Sequence, residues 1–444
     1  MKSITRKINP NVELDDIGQD YAEENEGFRM NEDSFEGNYD SFKRVGRFQT
    51  FVNLANALIG AGIINVPATF IPCGLGPTIV MIMFVCFMCF VCGNTLINLQ
   101  HETNIVGLDD LAFRVFGRYG EIFTNVLTLI FTFSYTSAYL IIGSDQIVEW
   151  LTYIKVSISS LGNWALVVIV YSLSLPVALT IPRHLSFLSI LSIPITICIL
   201  FVSISLFIRS SINLAAPGGL STTANGYSYH PNAFLSFSIH LSTFALPILQ
   251  LPILRYYNPS VEKRQSITGL TYLFTFFLVA LPSGLIYLNF GDKTQSDVLN
   301  SYLQKDTYMI FLQILLFLIV SCTYPFITNN IISFFSGYIF QEPRQEKLPT
   351  LKRSALIILV NIINIIIAMV LRDNAPVLAF GGSIGGCLIC FVFPSLCRLK
   401  TMRNTSISFL FIFHIIITLF GLATFAICTY YSVKNAISVF RNPG

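Results

Sequence analysis

Charge is what this sequence has least of. Only 11% of its 444 residues are Asp, Glu, Lys or Arg, against 53% that are hydrophobic. Soluble domains carry about 25% charged residues. The shortfall excludes a water-soluble globular domain, so chain length does not count domains here. There is no long basic run and the net charge is +3, which excludes nucleic acid as a partner. No early apolar stretch is present, so the first residues do not read as a secretory signal peptide. The apolar segments lack two aspartates, a Ser–Lys dyad or a histidine cluster in catalytic arrangement. An intramembrane enzyme needs such a set within hydrogen-bond reach, so no enzyme and no cofactor are expected. A channel would show a ring of charge or a repeated carbonyl filter, and neither is present.

The charge that exists is uneven. Eleven of the 24 acids fall within residues 11–40. Residues 1–45 therefore read as an acidic, disordered cytosolic tail, unable to bury enough apolar area to fold. Such a tail is a solvated or sorting segment, or it docks a signalling partner. The ten cysteines lie mostly inside apolar runs, with Cys86, Cys89, Cys92 and again Cys387, Cys390 at i, i+3 spacing. Flanked by Phe, Val, Met and Ile, they read as helix packing rather than a zinc site. Cys73 is the one cysteine expected near a non-cytosolic surface, so no intramolecular disulfide is expected on that side.

About 20 apolar residues cross a bilayer as a helix. Eleven segments qualify: 48–71, 75–99, 120–149, 163–181, 185–208, 232–254, 267–290, 307–337, 354–371, 375–397 and 406–431. The expected fold is thus all-α and integral to the membrane, with eleven transmembrane helices spread over residues 46–431. With the N-terminus in the cytosol, 20 of the 27 Lys and Arg residues fall on the cytosolic side and 7 on the other. That asymmetry sets the orientation and places residues 432–444 as a short non-cytosolic tail. Between the second and third spans, Leu108, Leu111, Ala112, Val115 and Phe116 recur at helical spacing beside Asp109, Asp110, Arg114 and Arg118. That pattern predicts an amphipathic surface helix, with the two aspartates at its positive end.

Two spans are interrupted. The first reads Asn53-Leu54-Ala55-Asn56-Ala57-Leu58-Ile59-Gly60-Ala61-Gly62-Ile63-Ile64-Asn65-Val66-Pro67. Asn53, Asn56 and Gly60 share a helix face. The glycines and Pro67 favour a break at membrane depth, which survives only where protein or a water-filled cavity satisfies the backbone. Amides freed there suit a carboxylate, and freed carbonyls suit an ammonium or a small cation. The sixth span holds Phe237-Ser238-Ile239-His240-Leu241-Ser242-Thr243 followed by Pro247 and Pro252. The second break comes five spans after the first, an odd offset and the parity an inverted repeat needs. His240 is either a proton-coupling group or a satisfied polar plug. His414 and Asp145 read as structural or water-facing. In the eighth span, Ser321-Cys322-Thr323-Tyr324-Pro325 offers hydroxyls either to Na⁺ or to their own helix. Gly381, Gly382, Ser383, Gly385 and Gly386 in the tenth allow another helix to approach closely.

These residues resemble the amino acid/auxin permease family, which is related to the larger amino acid–polyamine–organocation group. The run from Asn53 to Pro67 is similar to the family's Asn-x-x-x-Gly-x-Gly-Ile opening and its following Pro. His240 with Pro247-Ile248, Tyr324-Pro325, and Phe393-Pro394-Ser395 fit as well. The resemblance covers residues 46–431. It implies a LeuT-like fold, a 5+5 inverted repeat plus one helix, and secondary active transport of amino acids coupled to H⁺ or Na⁺. The sodium-coupled neutral amino acid branch and the fungal vacuolar branch are both similar in the first span. The resemblance places a sodium site at Asn56 and Thr323, and the unwound substrate segment at Gly60, Ala61 and Gly62. The chain departs from the sodium-coupled branch at Ile239, at Gln250-Leu251, and in the cysteine-free loop 209–231.

The expected mechanism is alternating access for neutral amino acids. The substrate site is expected at Asn56, Ile59, Gly60, Ala61, Gly62, Ile63, Ser238, His240, Leu241 and Ser242. Ion coupling is expected at Asn56, Thr323 and His240. The expected partners are an amino acid and membrane lipid, in a vacuolar, lysosomal-type or plasma membrane. The alternative is an amino acid sensor of the same fold that signals through its cytosolic tail.

Overall fold

Lipid cannot hydrogen-bond a peptide group, so an apolar segment in a bilayer closes its own backbone ladder as a helix. In the computed structural model the described residues are 45–441, apart from 60–61, 104, 106, 157–159, 183–185, 303–306, 343–344 and 403–408. The acidic tail expected over 1–45 lies almost wholly outside them, as do Gly60 and Ala61. The described chain is helical, in one unit from Val45 onward.

The first interrupted segment is α1 (Arg47–Ile59) and α2 (Gly62–Asn65), the latter running on as a 3-10 turn, Val66–Phe70. Then come α3 (Leu75–Thr103), α4 (Leu108–Tyr153), α5 (Leu161–Ser174) and α6 (Ser186–Ala215). The sixth segment is in three pieces: α7 (Ala233–Thr243), a 3-10 turn (Leu246–Ile248) and α8 (Gln250–Arg255). After it stand α9 (Val261–Phe290), α10 (Thr307–Phe340) and α11 (Thr350–Val370). The tenth segment begins as α12 (Asn374–Gly381), widens into a π-helix over Gly382–Val392, and closes as α13 (Phe393–Thr401). The last helix is α14 (Phe409–Arg441). Among the described residues nine helices are long and apolar enough to cross a membrane. The α1–α2 pair, bent by 44°, makes a tenth, and α7 is a shorter apolar helix. That gives nine or ten spans among the described residues, compatible with the eleven expected.

The surface helix before the third span is present. Leu108, Leu111, Ala112 and Val115 are buried, while Asp109, Asp110, Arg114 and Arg118 face outward. Gly117, at φ 72° and ψ −167°, turns the chain from that helix into the span. A side chain is disfavoured at that backbone angle. The cysteines with i, i+3 spacing point inward: Cys86, Cys89, Cys92, Cys387 and Cys390 are all buried.

Packing sorts the spans into two groups. Span three (α4) packs on α5, α10 and α11. Polar bonds tie that group together. Thr136 and Ser137 donate to Asn364 Oδ1 at 2.7 and 3.1 Å, Tyr324 donates to Asn361 Oδ1 at 2.6 Å, and Trp164 donates to the Ala368 carbonyl at 3.2 Å. The Tyr171 and Ser321 hydroxyls meet at 2.8 Å. The second group is α1 and α2, α3, α7 and α8, and α9. The α6 helix lies between α9 and α10, and the π-helical stretch packs on α4, α7 and α14. Without a hydrophobic drive between helices in lipid, such contacts and bonds hold the bundle.

Candidate functional site

The two interruptions meet. Gly62 opens α2 directly against Thr243, the last residue of α7. A Cβ on Gly62 would overlap the Thr243 side chain. The glycine at 62 lets the start of α2 lie tightly against the end of α7. Beyond the break, the Thr69 hydroxyl donates to the Val66 carbonyl at 2.6 Å and contacts His240 Nε2 at 3.2 Å. Ser236 donates to the Thr69 carbonyl at 3.0 Å. Two polar links therefore join the 3-10 turn of the first segment to α7.

The end of α7 is held from several sides. Phe244 N–H closes on the His240 carbonyl at 3.0 Å. The Tyr135 hydroxyl of α4 donates to the Ser242 carbonyl, and the Tyr272 hydroxyl of α9 donates to the Phe244 carbonyl at 3.3 Å. Gly382 sits against the Ser238 carbonyl so closely that a Cβ there would overlap it. Past the break, Gln250 Nε2 donates to the Gly93 carbonyl of α3 at 2.7 Å.

Of the expected substrate residues, Ile59, Gly62, Ile63, Ser238, His240, Leu241 and Ser242 are all buried. Asn56 is half-buried, and Gly60 and Ala61 lie outside the described residues. The hydroxyls of Ser238 and Ser242 donate to carbonyls of their own helix, Phe234 at 2.9 Å and Ile239 at 2.9 Å. The side chains of both serines thus serve their own helix. Thr323 likewise donates to Ile319 of its own helix at 2.7 Å. His414 is buried with Nδ1 3.5 Å from the Ser395 hydroxyl, consistent with a structural part.

Sequence reading missed Thr69, Tyr135 and Tyr272. A signal existed for two of them. Thr69 follows Pro67 by two residues, and Tyr135 sits in the polar run Ser134-Tyr135-Thr136-Ser137 inside an apolar span. Tyr272 carries no such mark.

A second polar region lies where the third span ends. Asp297, in the connection between α9 and α10, accepts from Leu299 N–H at 3.0 Å and from the Gln146 side-chain amide. Asp373 caps α12 through Ala375 N–H at 3.0 Å and accepts from Ser296 at 3.3 Å. Burial pushes the Asp297 carboxyl up to about 6 against the pull of those two donors. Burial raises Asp373 also. Asp145 is half-buried beside both.

Among the described residues no group of three or more His, Cys, Asp or Glu is placed to hold a metal ion. The protein-family model for "Transmembrane amino acid transporter protein" matches residues 43–434. The chain is 24% identical over 380 residues to the sodium-coupled neutral amino acid transporter 7 of Xenopus laevis, covering 78% of each chain. It is 20% identical over 392 residues to the sodium-coupled neutral amino acid symporter 2 of Danio rerio, covering 80% of this chain and 75% of the relative. A Danio rerio transporter 7 is 22% identical over 381 residues, with 78% and 77% covered.

Proposed function

Because this chain belongs to the transmembrane amino acid transporter family, we propose that it carries neutral amino acids by alternating access, driven by Na⁺ or H⁺. The observation that supports this reading best is the contact of Gly62 with Thr243, which sets two broken helices end to end. Helix ends of opposite sense hold a zwitterion without a buried ionised side chain. The substrate carboxylate meets amides near Gly60, Ala61 and Gly62. Its ammonium meets carbonyls at the end of α7. Ile59, Ile63 and Leu241 line the side-chain pocket, whose apolar walls select neutral side chains. Sodium coupling draws support from the names of the relatives and would use Asn56 and Thr323. Proton coupling would use His240. The fold is read as eleven spans in a 5+5 inverted repeat plus one, with the N-terminus cytosolic.

Uptake by purified protein in vesicles, with Na⁺ and pH gradients imposed separately, tests the proposal. One of the two gradients is expected to concentrate a neutral amino acid. If neither gradient drives any amino acid, the transport reading is wrong. Gly60→Leu is expected to abolish uptake while the protein still folds and reaches the membrane. Normal uptake in that variant would remove the break from the mechanism.

A further inference from the structure

A hydroxyl has one hydrogen to give, and that count decides how His240 is protonated. Thr69 Oγ1 spends its hydrogen on the Val66 carbonyl at 2.6 Å. Toward His240 Nε2, 3.2 Å away, the same oxygen can only accept. Nε2 therefore carries the ring hydrogen, and in the neutral ring Nδ1 is left with a bare lone pair. His240 is 0% exposed, and Nδ1 has no hydrogen-bond partner among the described residues. A buried acceptor without a donor is costly, and such atoms mark places where a ligand or an ordered water supplies the hydrogen. Thr69 is itself fixed, because its hydroxyl bonds within its own 3-10 turn and its carbonyl takes the Ser236 hydroxyl at 3.0 Å. A bond of this kind to one ring nitrogen sets which imidazole nitrogen is available.

We propose that Thr69 is a positioning residue that fixes His240 as the Nε2–H tautomer. This reserves Nδ1 as the acceptor for a donor arriving with transport, the ammonium of an amino acid. The acceptor role rests on the reading of this site as an amino acid pathway. The tautomer does not.

The test is nitrogen NMR on full-length protein labelled with [¹⁵N]histidine, with the His240 signals identified by their loss in His240→Gln. Wild type is expected to show a protonated Nε2 and a bare Nδ1. Thr69→Val keeps the size but cannot accept, so the Nε2 signal should move to that of an unbonded N–H or a second tautomer should appear. Thr69→Ser should keep the wild-type spectrum. An equimolar mixture of neutral L-amino acids, added at constant pH, should shift the wild-type Nδ1 signal. A bare Nε2 or a doubly protonated ring in wild type overturns the tautomer, as does an unchanged spectrum in Thr69→Val. Should Thr69→Val fail to fold, the wild-type spectrum alone still decides. An Nδ1 signal unmoved by amino acids that the same protein takes up in vesicles overturns the acceptor role. Vesicles that take up nothing overturn the transport reading instead, and leave the tautomer result standing.

Discussion

At the scale of the residue, two glycines bring neighbouring segments tightly against α7. Gly62 faces the side chain of Thr243, and Gly382 faces the main-chain carbonyl of Ser238. The obstacles differ in how far they yield. A threonine is stiff about χ1 but can turn, whereas a helix carbonyl cannot move without its helix. Overpacking costs about 1–3 kcal/mol in a well-packed site, more where nothing relaxes. Gly382→Ala is therefore expected to lower the melting temperature in detergent more than Gly62→Ala. Thr243→Ala should partly rescue Gly62→Ala and leave Gly382→Ala unchanged. Equal rescue of both would show that the clash is not local. Residue identity was partly legible in the chain. Asn56, Gly62 and His240 stood out because polar or flexible residues are rare in apolar runs. Thr69 and Tyr135 carried only local marks, a nearby proline and a polar run, while their partners lie 171 and 107 positions away. No spacing rule along one helix carries that information.

At the scale of the element, periodicity and composition did most of the work. The surface helix was readable because its apolar residues recur at helical spacing, and the break in the sixth span because its prolines interrupt a ladder. The π-helix at Gly382–Val392 was not readable. Wide turns of this kind have no composition of their own, and they occur mostly at functional sites. Here the widened turns lie against α4 and α7. The connection between α9 and α10 is a further element that only structure reveals, seated on the third span by the bond from Gln146 to Asp297. Asp297 ordinarily ionises near pH 4, and burial has raised it to about 6. A raised acid favours the folded state only while it is protonated. Its contribution is full below the ordinary range, falls as pH rises, and is gone above about 6. Asp297→Asn stays neutral at every pH. The Gln146 amide can turn to meet it, because its Oε1 has no partner among the described residues. The fall in melting temperature between about pH 4 and pH 6 should thus be shallower in the variant than in wild type. Parallel curves would show that Asp297 is not buried as a neutral acid.

At the scale of the whole molecule, the bonds divide by which spans they join. Thr69 to His240, Gln250 to Gly93 and Tyr272 to Phe244 all lie within the group of spans one, two, six and seven. Thr136 and Ser137 to Asn364 and Tyr324 to Asn361 lie within the group of spans three, four, eight and nine. Tyr135 to Ser242 crosses from one group to the other. In the proposed cycle one group rocks against the other, so internal bonds persist and the crossing bond is made in some states and lost in others. An interaction present in every state stabilises all of them equally and leaves their balance alone, whereas one present in a single state shifts that balance. A hydrogen bond is worth about 0.5–1.5 kcal/mol, or roughly two- to tenfold in a population. Tyr135→Phe is therefore expected to change the apparent KM for substrate by roughly two- to tenfold. Gln250→Leu should lower the melting temperature and leave KM within twofold, on the order of measurement error. Kinetics in vesicles and melting curves in detergent read the two effects apart. If Tyr135→Phe behaves like Gln250→Leu, the crossing bond survives the whole cycle. The groups would then part along some other line than the one between α4 and α7.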